Sequence, residues 1–240
     1  MSKIAIIGYG NVGYHLNQVL QKDHAVTVFS RNPKQDSIKS LEDLDAELYD
    51  FIFLCVPDDA VKKLAESFKS KNSIVVHTSG SRPMSDLESH THHGVFYPLQ
   101  TFSKEKQIDF SGFPIFIEGN QYTEDALQVF ALSFCKDVRL LSSAHRAQLH
   151  LAAVFACNFS NHMFHIAENI LKNAGLEFKD VAPLVQETIE KAITLNPSNA
   201  QTGPAVRNDM KTIAGHLDLL KDEDWKILYK LITENIQKHQ

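Results

Sequence analysis

The chain begins with short apolar runs separated by helical patterns, and ends in helical patterns alone. Ile4–Gly8 reads as a buried strand and runs without a gap into the glycine set Gly8, Gly10 and Gly13, after which an amphipathic pattern continues to Leu20. Further strands are predicted at Ala25–Phe29, Asp50–Val56 and Ser73–His77, then in a short run broken at Pro98, then at Phe113–Glu118 and Asp137–Leu141. The helices between them are Ala60–Phe68, with Asp58 or Asp59 as its cap, and Thr123–Cys135, capped by Thr123. Ser37–Glu47 is a polar connector with room for a short helix. From Ser143 the β-branched runs stop, and Ala144–Asn173, Phe178–Leu195, Pro204–Leu220 and Asp224–Lys238 carry helical patterns. The fold class that follows is α/β, a mostly parallel sheet followed by an all-helical second domain. The expected boundary divides residues 1–142 from 143–240, with no loose linker to mark it.

The glycine set at Gly8, Gly10 and Gly13 has the spacing and the strand-to-helix setting of a dinucleotide-binding turn, so the first domain is read as Rossmann-type. Gly8 permits the sharp turn, Gly10 lets a pyrophosphate approach the backbone, and Gly13 lets the helix lie close to the strand. The next strand ends in Ser30-Arg31, where an acidic residue would bind the ribose of NAD. A hydroxyl and a guanidinium there favour the extra phosphate of NADP, although an arginine at a strand end also serves as a solvated turn. Strands ending at Gly8, Ser30-Arg31, Val56-Pro57 and Thr78-Ser79-Gly80 would place all these features on one sheet edge, within reach also of Gln100 and Thr101.

Composition narrows the function classes. With 240 residues, 43% of them hydrophobic and 22% charged, the chain can bury a sizeable core. A net charge of -5 gives no basic footprint, so neither nucleic acid nor an anionic membrane surface is expected as a partner. No membrane-length apolar run or signal-peptide pattern is seen, and Cys55, Cys135 and Cys157 are scattered, which together predict a cytoplasmic protein with buried thiols. The sequon at Asn158 falls in a helical pattern and is discounted. His90, His92 and His93 lack a partner at metal-ligand spacing and are read as a polar loop; no metal is predicted.

The first helix of the second half carries Arg146, His150, Val154, Cys157 and Asn161 at near-helical spacing, with Asn158 beside them. Reduction of a carbonyl or imine needs a proton donor, and His150 is the first candidate, with Asn158 as orienting hydrogen-bonder. Both could equally be satisfied polar groups at a helix crossing. Thr202–Asp209 reads as a helix start, with Thr202 or Gly203 as cap and Pro204 in the first turn, where Arg207 could bind a substrate anion. Asp209 could instead pair with Arg207.

Taken together, IGYGNVG, CVPDDA, HTSGS, YPLQTFS, RAQLHLAAVFACNF and QTGPAVRND resemble a bacterial family of NADP oxidoreductases. The cofactor domain of that family is similar to those of pyrroline carboxylate reductase and deazaflavin-dependent NADP reductases. Its helical domain is like that of the phosphogluconate-dehydrogenase-like superfamily. The resemblance implies a cofactor lined by Gly8, Gly10, Asn11, Val12, Gly13, Ser30, Arg31, Val56, Pro57, Thr78, Ser79 and Gly80. It also implies a helical domain that forms homodimers. Where the hydroxyacid enzymes of the superfamily use a lysine and an asparagine one turn apart, this helix offers His150 and Asn158 about two turns apart, so their reaction does not carry over. The expectation is hydride transfer between NADP(H) and a small polar, anionic substrate between the domains, with His150, Asn158 and Arg207 as catalytic and substrate-holding residues. The rival readings are an NADP sensor without catalysis and an S-adenosylmethionine-dependent methyltransferase, for which Ser30-Arg31 has no evident use.

Overall fold

The computed structural model describes residues 1–33 and 38–239; Ser37, where the predicted connector begins, lies outside them. The strands are β1 (Lys3–Ile7), β2 (Ala25–Ser30), β3 (Ile38–Ser40), β4 (Phe51–Leu54), β5 (Ile74–His77), β6 (His92–Pro98), β7 (Ile115–Gly119) and β8 (Val138–Leu140). They form one sheet in the order β3-β2-β1-β4-β5-β6-β7-β8, parallel throughout except where β6 meets β7. The unbroken apolar runs are explained by burial on both faces. Alternate residues of β1 serve opposite sides: Ile4 and Ile6 join a core with Phe53, Phe96 and Phe130, while Ala5 and Ile7 join Ile52, Val61 and Leu87. Strand order reverses between β1 and β4, the position where open sheets of this kind bind ligands beyond their carboxyl ends.

The helices are α1 (Asn11–Leu20), α2 (Asp58–Glu66), α3 (Gln121–Leu132), α4 (Ser143–Ala153), α5 (Ser160–Asn173), α6 (Ala182–Leu195), the short α7 (Pro197–Ala200), α8 (Met210–Leu219) and α9 (Glu223–Lys238). Contacts divide the chain into two compact units, Met1–Phe155 and Ala156–Gln240. No helix among the described residues is long and apolar enough to cross a membrane.

Several local expectations are corrected. Asp58 and Asp59 lie in the first turn of α2 rather than capping it, which still sets negative charge at the positive helix end. The cap of α3 is Asn120, whose side chain accepts the Thr123 N–H at 3.0 Å. No helix starts at Pro204; α8 begins at Met210, capped by Asp209, which accepts from Thr212 N–H at 3.1 Å and from its hydroxyl at 2.8 Å. His92 and His93 belong to β6, not to a loop, and the buried His90 contacts the Ala65 carbonyl through Nε2 at 3.0 Å. The long helical pattern is interrupted by a π-helical turn, Val154–Phe159, so α-helical spacing does not run unbroken from Arg146 to Asn161.

Candidate functional site

The turn after β1 owes its shape to two close approaches. Gly8 has φ +102°, and a Cβ there would run into the Cys55 carbonyl at the end of β4. A Cβ on Gly13 would strike the Gly8 carbonyl, so α1 can lie this near the strand only with glycine at that position. Gly10 is different: nothing stands within 4 Å of where its Cβ would be, which leaves the backbone open to a ligand. No side chain caps α1 and no acidic residue lies in its first turn, so its amide end is available to phosphate. Beneath the turn, burial pushes the Cys55 thiol up to about 12, against a smaller opposing effect of its hydrogen bond with Thr78, which makes it packing rather than a nucleophile.

Beside this turn lies a cleft of about 660 Å³ lined by Gly8, Gly10, Ser30, Arg31, Val56 and Pro57. Ala60, Lys63 and Leu64 of α2 line it as well, with Ser67 just beyond the helix. Lys63 was not anticipated from the sequence; on α2 it reads as an ordinary surface lysine, and only the packing of α2 beside the end of β2 brings it to the same cleft as Arg31. Among the described residues neither cation is in an ion pair. Ser30 turns its Oγ to the Asn32 N–H at 3.3 Å. Of the residues expected to line a cofactor, Val12 is half-buried and packs against the core, and Asn11 donates its side-chain amide to the Phe102 carbonyl at 2.8 Å. Gln100 and Thr101 bond to each other, with Gln100 Oε1 accepting the Thr101 N–H at 2.8 Å.

The loop after β5 is built by internal hydrogen bonds. Ser79 Oγ accepts the N–H groups of Ser81 and Arg82 at 3.1 and 3.0 Å, and the Ser81 hydroxyl donates to Asp58. His77, fully buried, accepts the Ser79 N–H on Nδ1 at 3.2 Å, which makes Nε2 the protonated nitrogen, turned to the Pro83 carbonyl at 3.4 Å. Burial, with the nearby Arg146 charge, lowers its pKa to about 4, so it stays neutral and serves the loop as an acceptor.

His150 rests on this loop. A Cβ on Gly80 would stand 2.5 Å from His150 Nδ1, 2.7 Å from Cγ and 3.0 Å from Cβ, so the ring occupies the space a side chain would need. From β6, the Tyr97 hydroxyl lies 3.1 Å from Nδ1, with the rings edge to face at 6.1 Å. Tyr97 is 9% exposed, and burial raises its pKa, so the phenol keeps its proton. Tyr97 stands in the YPLQTFS stretch, but its partner is 53 residues away in sequence, and no local pattern announces that pairing.

Arg146, one turn before His150, has a structural place rather than a site on an open stripe. It is 1% exposed and bonds Glu118 of β7 at 2.5 Å, the Arg82 carbonyl and Ser143 Oγ at 3.2 Å. Glu118 also accepts the Ser143 N–H at 2.8 Å and its hydroxyl at 2.7 Å, placing a carboxylate at the amino end of α4. This network fixes the helix that presents His150.

In the second unit Asn158 and Arg207 are exposed. With Asp209 committed to capping α8, Arg207 forms no ion pair among the described residues, although its charge helps hold the Asp209 carboxyl below its usual range, after the larger effect of the Thr212 hydrogen bonds. The described residues contain no group of three potential metal ligands.

Residues 113–236 match a family model described as a domain of unknown function, DUF2520, and residues 3–80 match one described as NADP oxidoreductase, coenzyme F420-dependent. No curated protein matches. Among solved structures, the Bacteroides fragilis protein BF3122, provisionally named an NADP oxidoreductase, is 35% identical over 99% of this chain and 98% of its own, with a TM-score of 0.91. Protein TM1727 of Thermotoga maritima is 17% identical, covering 98% of each chain with a TM-score of 0.78. A reductive aminase from Aspergillus terreus, solved with NADPH and ethyl levulinate, is 15% identical over 99% of this chain and 94% of its own, with a TM-score of 0.68. At these lower identities the likeness is one of fold.

Proposed function

The chain belongs to the DUF2520 family and carries an NADP-oxidoreductase domain over residues 3–80, and from that premise we propose that it transfers a hydride between NADP(H) and a small polar, anionic substrate. The observation that carries this reading lies within one unit. An open glycine turn with an uncapped helix end, a two-cation cleft and the His150–Tyr97 pair all sit at the carboxyl edge of the same parallel strands.

Gly8, Gly10 and Gly13 with the amide end of α1 would hold the pyrophosphate of NADP, and Arg31 with Lys63 the extra ribose phosphate. When bound, NADPH supplies the hydride to an electrophilic carbon. His150 hands a proton to the heteroatom of the same C=O or C=N bond and is reprotonated from water, so the double bond gains one hydride and one proton. Asn158 and Arg207 are our proposed substrate contacts, the arginine for a carboxylate.

Cofactor titration tests the assignment without a known substrate. Arg31→Ala or Lys63→Ala is expected to weaken NADPH binding about 10–100-fold, the loss of one charge-assisted phosphate contact, while NADH binding changes by less than about threefold. Equal losses for both nucleotides, or none, would remove the phosphate role.

We also propose that the second unit pairs with a second copy of itself. Helices α5, α6 and α9 contain no buried residue, and Ile193 of α6 and Leu231 of α9 are 77% and 59% exposed. Ala205 and Ile213 are the buried hydrophobics of that unit among the described residues, too small a core to leave such helices uncovered. Sedimentation should give twice the 27.0 kDa chain mass, and Ile193→Asp with Leu231→Asp should shift it toward one chain. A parent protein that sediments as a single chain at micromolar concentration would refute the pairing.

A further inference from the structure

The pairing of Tyr97 with His150 does more than fill space. Tyr97 is held in β6, opposite Phe116 of β7, and packs with Val95 and Phe116 in a small core to which Leu149, next to His150, contributes. That packing would be served by phenylalanine; among the described residues the hydroxyl adds its contact with Nδ1 of His150. The same ring edge, Nδ1 and Cγ, lies against Gly80, so Nε2 is on the opposite edge, away from the loop. The phenol keeps its proton through burial, which outweighs the opposing positive charge of Arg146 and is reinforced by the negative charge of Asp58, and therefore has an O–H to place.

Building on the reading of His150 as proton donor, we propose that Tyr97 is a positioning residue that donates its O–H to Nδ1 of His150 and holds the neutral ring as the Nε2–H tautomer. Uptake of a proton from water at Nδ1, where the Tyr97 oxygen can turn to accept, makes the ring the imidazolium acid. That cation delivers its Nε2 proton, on the edge opposite the Gly80 contact, to the substrate heteroatom and is left as a neutral Nδ1–H ring that exchange with water returns to the resting Nε2–H form. Gly80 fixes where the ring lies, and Tyr97 fixes which nitrogen carries hydrogen. Neither role requires Tyr97 to touch the substrate.

The test is spectroscopic. Protein labelled with 15N in histidine and saturated with NADPH is compared at about pH 8.5, where ordinary imidazoles are neutral, by correlating ring nitrogens with ring protons. His150 is assigned by the signal lost in His150→Gln. The expected result is the Nε2–H tautomer in the parent protein and a mixture with Nδ1–H in Tyr97→Phe, with NADPH affinity within about threefold. An Nδ1–H ring in the parent, or an unchanged pattern in Tyr97→Phe, would overturn the proposal. A failure of the oxidoreductase reading is distinguishable, since it appears as absent NADPH saturation rather than as a tautomer.

Discussion

Replacing Arg146 with methionine should cost the protein about 3–5 kcal/mol of stability, because it leaves the Glu118 carboxylate in a mostly enclosed site without its cation. For a chain of this size, that is a fall in melting temperature of roughly 10 °C. The loss concerns more than one pair. Arg146 also satisfies the Arg82 carbonyl, and Ser143 Oγ accepts the Met84 N–H at 2.9 Å while donating to Glu118, so loop, helix and strand share the network. Adding Glu118→Leu should restore much of the stability, since replacing both members of a buried pair with apolar groups is far less harmful than removing one. Thermal or urea unfolding of the two variants decides the matter. If Arg146→Met unfolds within about 1 kcal/mol of the parent, the network is not what secures α4.

The second large effect is expected from the smallest change at the site, Gly80→Ala. The added methyl meets not a flexible tip but Nδ1, Cγ and Cβ of His150, so relief requires moving the root of that side chain and with it α4. The imidazole would be displaced from Tyr97, and loss of a positioned proton donor lowers turnover by about 10²-fold or more. Because Gly80 is also expected beside the cofactor, NADPH affinity is measured in parallel, and turnover should fall at least about tenfold further than binding does. With small oxo acids and imines as trial substrates, turnover in Gly80→Ala within about threefold of the parent would show that the reaction does not use His150.

How much of this could be read along the chain depended on whether the signal was local. The parallel strands announced themselves because burial on both faces demands unbroken apolar runs such as FIFL and IVVH. β3 was missed because three residues, IKS, carry no pattern. The glycine turn was legible because its two steric demands fall within six residues of chain. Cap positions were less so: Thr123 and Asn120 are both competent caps, and backbone geometry chooses between them. The polar stripe on the first helix of the second half mixed unlike things. Arg146 turned out to be buried in a structural network and His150 to lie on Gly80, while the π-helical turn undid the spacing that linked them to Asn161. Tyr97 and Lys63 were invisible because their relevance comes from partners on other elements.

Among the described residues, the two borders of the eight-stranded sheet are its shortest strands, β3 and β8, with three residues each and a basic side chain at the middle position, Lys39 and Arg139. A border that short and charged is a poor template for another molecule's backbone, which protects a sheet rich in phenylalanine from fibrillar stacking. Crowding the protein to high concentration should therefore leave its amide ladder intact and resistant to seeding.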